Sequence, residues 1–320
     1  MIIGAGPVGL ISNPASGHNR DQFPAIAARV DRCPDIVHRV TRTAEAIDGA
    51  LQELAAAHIS LLAINGGDGT VSAVLGRLLL SPAFATPPPI VLLPGGTANM
   101  NAGDVGVRGS LTAAVERFCS WCEGTRSTAG LLRQRALMRV TPGDGVERFG
   151  MFLGAGAVIH GTEYAHREIH SRGLRDDFSL ALGTLRTVWG VLRDDPRFNQ
   201  HVGIELTLDA QPARRFDTLI LAVSTLERLS FGMRPFYGEG PGAIRLTLFE
   251  QGCTRFARSF IAIVRGRPGR HVTPGNGYHS HNAQRLQLGI CGKLNLDGEL
   301  LDAGGQVVVS ASPMFTFVRL

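Results

Sequence analysis

The sequence predicts an α/β chain, an open α/β domain followed by a mainly antiparallel β-sandwich domain. Three observations predict it. The first 130 residues alternate short apolar runs with helical patterns. From about residue 134 strand-like runs dominate, separated by polar or glycine-bearing turns. A length of 320 residues with 44% hydrophobic side chains exceeds one ordinary domain and supplies enough apolar surface for two cores.

The elements follow in order. Val8–Ser12 reads as a strand, Phe23–Val30 as a helix and Ile36–Val40 as a second strand. Ala44–Ala57 carries Ile47, Leu51 and Leu54 at helical spacing. Ser60–Ile64 is a buried strand, Val71–Leu80 a helix, Ile90–Leu93 another strand and Leu111–Glu123 a helical run. That β-α-β-α-β order implies parallel strands with crossover helices, and ligands of such sheets sit at the carboxyl ends of the strands. In the second part Leu137–Thr141, Val202–Leu208, Leu219–Ser224, Ile244–Phe249, Phe260–Val264, Leu286–Ile290, Val307–Ser310 and Phe315–Arg319 read as strands. One amphipathic helix, about Ser179–Arg193, interrupts them.

Composition excludes several classes. The net charge is +5 and the pI about 9.3, with Lys293 the sole lysine among 32 basic residues. Arginine grips anions with a bidentate fork, so an anionic partner fits. The charge is scattered without a run of five basic residues, so it is no nucleic-acid tail. Five cysteines are an odd number in a long chain and argue for a reducing compartment. The longest apolar stretch, Leu78–Pro94, is cut by Pro82 and Pro87–Pro89 before it reaches the ~18 residues of a membrane helix. No basic n-region with an apolar h-region opens the chain, so a cytoplasmic protein is expected.

Several motifs are decoys. Gly4–Gly9 fits GxGxxG but runs into a strand and a proline turn, whereas a dinucleotide fingerprint must open a helix. Cys119 and Cys122 form a CxxC on a helical run without the second pair that a zinc ribbon needs, and two cysteines one turn apart suit a packed face. His166 and His170 stand at i and i+4, but their glutamate is displaced from the HExxH position. His279-Ser280-His281 reads as a surface turn.

Four motifs carry chemistry. Asn13-Pro14-Ala15-Ser16-Gly17 follows the first strand, where small residues and exposed amides cradle phosphate. Gly66-Gly67-Asp68-Gly69-Thr70 follows the buried third strand and leads into a helix; its glycines admit a ligand close to the backbone, and the Asp68 carboxylate suits Mg²⁺ or nucleotide orientation. Pro94-Gly95-Gly96-Thr97-Ala98-Asn99 follows the next strand, so the two glycine-threonine turns converge on one crevice. Asp297-Gly298-Glu299 holds two carboxylates at a tight turn between strands, where acid/base groups stay exposed.

In that order and spacing, Asn13–Gly17, Gly66–Thr70, Gly95–Asn99 and Asp297–Glu299 resemble the diacylglycerol kinase catalytic-domain family, which includes bacterial diacylglycerol and phosphatidylglycerol kinases, sphingosine kinases and ceramide kinases. The resemblance spans Gly9 to Leu320. It implies that residues 1–133 bind ATP and that residues 134–305 form a lipid-facing β-sandwich, with a tail of about 306–320 returning to the first domain. It also implies that Asn13 and Gly17 line the phosphates and that Thr41 contacts ATP. Gly66, Gly67, Asp68, Gly69 and Thr70 would form the main nucleotide loop, joined by Gly96, Thr97 and Asn99. Glu299 matches the usual proton acceptor, with Asp297 beside it, and Asp68 and Asp297 are the carboxylates for Mg²⁺.

The chain departs from the family at three places. Ser72-Ala73 stand for the usual Asn-Glu, Met100 stands where an acidic residue is usual, and Gly238–Ile244, which matches a structural Mg²⁺ loop, has Pro241-Gly242 and only Glu239 nearby.

The expected function is therefore ATP-dependent, Mg²⁺-assisted phosphorylation of a lipid hydroxyl on a diacylglycerol-like or sphingoid lipid. The alternatives are an NAD kinase, whose family has an Asn-Glu pair where Met100-Asn101 stand here, and a nucleotide- or lipid-binding protein without kinase activity. The expected partner is a lipid at the membrane surface, reached peripherally through arginine-rich runs with Phe256 and Phe260, or Phe231 and Phe236. Nucleic acid is not expected, and a homodimer is left open.

Overall fold

The computed structural model describes residues 6–124, 126, 132–159 and 202–320. The chain divides into two compact units, Met1–Arg135 with Pro313–Leu320, and Ala136–Ser312. The expected helix at 179–193 and the His166/His170 pair lie outside the described residues.

The first unit is a three-layer α/β structure. Its elements are β1 (Val8–Ser12), α1 (Asn19–Val30), β2 (Ile36–Val40), α2 (Ala44–Ala56), β3 (Leu61–Gly66), α3 (Asp68–Leu80), β4 (Ile90–Pro94), α4 (Met100–Asp104), α5 (Leu111–Glu123) and β5 (Leu132–Arg135). The six-stranded sheet runs β2-β1-β3-β4-β17-β5, where β17 is Phe315–Val318. Strands β1 to β4 are parallel, and β17 pairs parallel with β4 and antiparallel with β5. Alternation along the strands sends Val8, Leu10, Leu61, Ala63, Val91 and Leu93 into one core with α1 and α5, while α2 and α3 cover β1 and β3 from the other side. Thr43 and Ser110 cap α2 and α5 by accepting the amides of Ala46 and Ala113.

The second unit is one curled antiparallel sheet with a helix on it. Its strands are β6 (Met138–Thr141), β7 (Arg148–Gly150), β8 (Phe152–Gly156), β9 (Val202–Leu208), β10 (Arg214–Ser224), β11 (Ile244–Glu250), β12 (Tyr278–Ala283), β13 (Arg285–Ile290), β14 (Lys293–Leu296), β15 (Glu299–Asp302) and β16 (Gly305–Ala311). The mainly antiparallel β domain expected from the sequence is found, its strands forming a continuous 11-stranded sheet among the described residues. The long strand β10 makes the continuity: Arg214–Thr218 pair with β9, Ile220–Ser224 pair with β8, and a register irregularity between Thr218 and Ile220 marks the change. The curl encloses one core drawn from β6, β8, β9, β10, β11, β13, β14 and β16.

Three expectations are corrected. Phe260–Val264 is part of a helix, α6 (Phe256–Val264), because Phe256, Phe260 and Ile263 fall on one helical face and pack against Phe249 and Tyr278. The returning tail is Pro313–Leu320, shorter than 306–320, since β16 is held on both edges by β13 and β6 in the second unit. Helix α3 starts at Asp68 instead of Val71, so the glycine motif is itself the helix start. Among the described residues no helix is long and apolar enough to cross a membrane.

Candidate active site

The strand order β2-β1-β3-β4 reverses direction of growth between β1 and β3, and sheets of this order open a crevice at the carboxyl ends of those two strands. The register places the motifs there. Ser12 lies opposite Asn65 on β3 and Val40 on β2, and Gly66 lies opposite Pro94 on β4. Asn13–Gly17, Thr41, Gly66–Thr70 and Gly95–Asn99 therefore share one edge of the sheet.

Side chains lock these loops together. Asn13 Nδ2 donates to Thr70 Oγ1 (3.0 Å), and Asn13 Oδ1 accepts from the Ala15 amide (3.0 Å). Ser16 Oγ lies 3.3 Å from Thr70 Oγ1 and accepts from the Gly67 amide at 3.3 Å. Buried Asn19 donates to the carbonyls of Asn13 (2.8 Å) and Asn65 (3.4 Å), and its own amide donates to the Gly95 carbonyl (3.2 Å). Thr41 is buried, its amide bound to the Ser12 carbonyl at 2.9 Å. The His18 ring is bonded to the Gly96 carbonyl. Sequence reading missed Ser16, His18, Asn19 and Asn65. The available signal was the asparagine that ends the otherwise apolar run Leu61–Asn65, since a buried polar group at a strand end needs partners.

Two glycine positions are fixed by close approach. A Cβ on Gly96 would stand 2.2 Å from Gly67 Cα, and one on Gly17 would stand 2.4 Å from Thr97 Oγ1. None of these glycines has a positive φ, so contact between loop backbones demands them. Gly69 is different, with nothing within 4 Å of its Cβ direction. Helix α3 begins beneath that open space with Gly67 as N-cap and no capping side chain. Its first-turn amides carry the positive end of the helix dipole, the arrangement that receives phosphate. Asn99 closes the neighbouring loop from a left-handed conformation (φ 45°), its amide group bonded to both the amide and the carbonyl of Gly96 (2.9 and 2.7 Å).

Asp68 is half-buried at the start of α3. Its carboxylate oxygens accept the amides of Met100 (3.0 Å) and Asn101 (2.9 Å), pinning the start of α4. Burial pushes its carboxyl above the ordinary carboxylate range, and the two amides oppose that rise. Asp104, at the other end of α4, is bound to Arg135 at 2.6 Å with a fully buried carboxylate.

Asp297 and Glu299 belong to the second unit. Asp297 and Gly298 both have positive φ (49° and 97°), the requirement of a type I′ turn joining β14 to β15. The Asp297 carboxylate accepts the amides of Met151 (3.0 Å) and Phe152 (2.8 Å), and its own amide donates to the Phe152 carbonyl (2.9 Å). The turn is therefore fastened to β8, and Glu299 leaves it exposed, with the Arg148 guanidinium within its electrostatic reach. The stretch 238–242 lies flat on β12: a Cβ on Gly242 would fall 1.8 Å from the Ala283 carbonyl carbon, and the Asn282 amide donates to the Glu239 carbonyl at 3.1 Å. Cys119 and Cys122 are buried in the α1–α5 core, as a packed face requires. Among the described residues no group of three or more side chains forms a metal cage.

Comparison with known proteins follows the same lines. Residues 7–129 match the diacylglycerol kinase catalytic domain. A diacylglycerol kinase from Bacillus anthracis str. Sterne superposes with a TM-score of 0.62 at 16% identity, covering 98% of this chain and 97% of that one. Two structures of a provisionally assigned diacylglycerol kinase from the same strain superpose with TM-scores of 0.65, at 15% and 16% identity, again covering 98% of this chain. No curated protein matches significantly. Motif order, the match over 7–129 and the fold of the whole chain agree: residues 7–129 carry a diacylglycerol kinase catalytic domain, and the chain as a whole has the fold of these structures.

Proposed function

We propose that this chain is an ATP-dependent lipid kinase, transferring the γ-phosphoryl group to a hydroxyl of a diacylglycerol-like or sphingoid lipid at the membrane surface. One observation carries the reading: the glycine loops after β3 and β4 are in backbone contact next to the β1/β3 switch point, beside the uncapped start of α3. Phosphoryl transfer depends on positioning and on neutralising charge, and this edge supplies both. The amides of 67–70 hold the phosphates, Asn13 and Ser16 set Thr70 and Gly67, and Thr97 and Asn99 shape the facing loop.

The donor set fits a Mg²⁺ carried by the nucleotide, which needs one or two carboxylates beside the phosphates and no protein cage. Asp68 would hold it on the first unit, and a metal bound there would spread the charge of the transferring group; Asp297, on the second unit, is the other candidate carboxylate. Each carboxylate is oriented by two consecutive backbone amides, which fixes its direction and leaves lone pairs. Glu299, exposed beyond the Asp297 turn, takes the proton from the lipid hydroxyl.

The test is Mg²⁺-ATP binding by calorimetry beside turnover in mixed micelles of diacylglycerol and sphingoid bases. Binding with a phosphorylated lipid product is expected. NAD binding with no lipid product would support the NAD kinase reading instead. ATP binding without product across metals and lipids would support a non-catalytic binder, a reading favoured by Met100 standing in place of an acidic residue.

A further inference from the structure

From Gln251 through Leu296 the chain has no aspartate or glutamate, yet it has six arginines and Lys293. Five of those arginines surround α6. Arg255 is its N-cap, Arg258 lies within it, Arg265 follows its last residue, and Arg267 and Arg270 lie on the loop beyond. Arg234 joins them, because its amide donates to the Val264 carbonyl at 2.8 Å. All six are exposed, and none pairs with a carboxylate among the described residues. Elsewhere Arg29, Arg39, Arg77, Arg126, Arg135, Arg139, Arg148, Arg215 and Arg245 each meet a carboxylate, and the arginines that do not among the described residues, such as Arg42, Arg133 and Arg214, are spread along the chain instead of gathered around one helix. The field around α6 is strong enough to push His271 below its ordinary value, with Arg255 the largest cause.

Helix α6 has two faces. Phe256, Phe260 and Ile263 pack inward on Phe249 and Tyr278, so two of the phenylalanines expected at the lipid serve the core. The outward stripe is Ala257, Arg258, Ile261 and Arg265, at i, i+3 and i+4 spacing, with Ile261 46% exposed. A tight turn, Leu229–Met233, holds Phe231 out at 66% exposure and is tied to the end of α6 through Arg234. Unpaired cations interleaved with solvent-facing apolar side chains suit a surface of anionic headgroups over hydrocarbon, which receives both kinds of group.

We propose that the α6 face, with Arg258, Ile261, Arg265, Arg267 and Phe231, docks the protein on an anionic bilayer. This deepens the lipid-kinase reading and rests on it for the purpose of docking. A polynucleotide would use the arginines but would leave Ile261 in water.

The test is co-sedimentation of the full chain, without nucleotide, with phosphatidylglycerol–phosphatidylcholine vesicles and with pure phosphatidylcholine vesicles. Binding to the anionic vesicles alone is expected, and it is lost near ~1 M salt, where the screening length is about 3 Å. Each arginine near such a surface contributes about fivefold, so Arg258→Gln/Arg265→Gln/Arg267→Gln lowers affinity about 100-fold. Ile261→Ser lowers it about tenfold. Phe231→Ser, on a separate turn, lowers it independently of the folding of α6. Wild-type binding by all three variants, equal binding to neutral vesicles, or tighter binding to single-stranded DNA than to anionic vesicles overturns the proposal.

Turnover of a water-soluble short-chain diacylglycerol is measured beside it. Vesicle binding through α6 without any turnover refutes the kinase reading and leaves the docking face. Turnover of bilayer substrate that the variants do not change refutes the docking face and leaves the kinase.

Discussion

Gly69→Ala separates a phosphate cradle from an ordinary loop-to-helix turn. Gly69 is the second residue of α3, its φ is not positive, and nothing lies within 4 Å of where its Cβ would be. The folded protein accepts the methyl without displacement. Alanine in a helix is favoured over glycine by about 0.5–1 kcal/mol, so the melting temperature rises by about 2–4 °C at most. The same methyl stands over the uncapped amides of α3, where the proposed function seats the nucleotide phosphates. Crowding a packed contact costs about 1–3 kcal/mol, which is about 5- to 150-fold in ATP affinity. Calorimetric titration with Mg²⁺-ATP and a thermal melt of the same preparation read both effects. Gly96→Ala is the control: its Cβ would stand 2.2 Å from Gly67 Cα, so the loops must part and the melting temperature falls. A Gly69→Ala protein that is more stable yet binds ATP within about twofold of wild type refutes the cradle, because the free space over α3 would then hold no ligand.

Three further outcomes are expected. Glu299→Gln keeps the shape of an exposed side chain and removes the proposed proton acceptor, so turnover falls about 10²–10⁴-fold with ATP affinity and circular dichroism unchanged; near-wild-type turnover removes Glu299 from the chemistry. Asp104→Ala leaves the Arg135 guanidinium, itself only 9% exposed, without its buried carboxylate, and urea unfolding should show a loss of about 3–5 kcal/mol. A much smaller loss means that another group takes over the arginine. Burial pushes Cys119 and Cys122 up to about 12, so near pH 8 only ~10⁻⁴ of each is thiolate, the reactive form. A thiol reagent should therefore modify exposed Cys291 first and Cys253 next, and reach Cys33, Cys119 and Cys122 only on unfolding. Rapid loss of three or more thiols in the native protein contradicts this packing.

By itself the sequence determined the alternation of strand and helix in the first unit and the place of each glycine motif at a strand's carboxyl end. Both are local properties: apolar periodicity marks a strand or helix, and a glycine run after a buried strand marks a turn that must be tight. It also determined the hairpin at Asp297-Gly298, since that pair is what a type I′ turn selects. Tertiary structure decided the rest. The run Phe260–Val264 has the residues of a strand, and only contact with Phe249 and Tyr278 made it the end of a helix. Whether the second unit was two sheets or one depended on β10 pairing with different strands along its two halves, which no local pattern encodes. The side chains that hold the site, Ser16, Asn19 and Asn65, act through partners up to 54 residues apart in this network of loops, and their roles exist only once β1, β3 and β4 lie side by side. Asp68 and Asp297 illustrate the division most directly. The sequence marks both as carboxylates at glycine turns, and only the fold reveals that each is aimed by a pair of backbone amides from a distant segment.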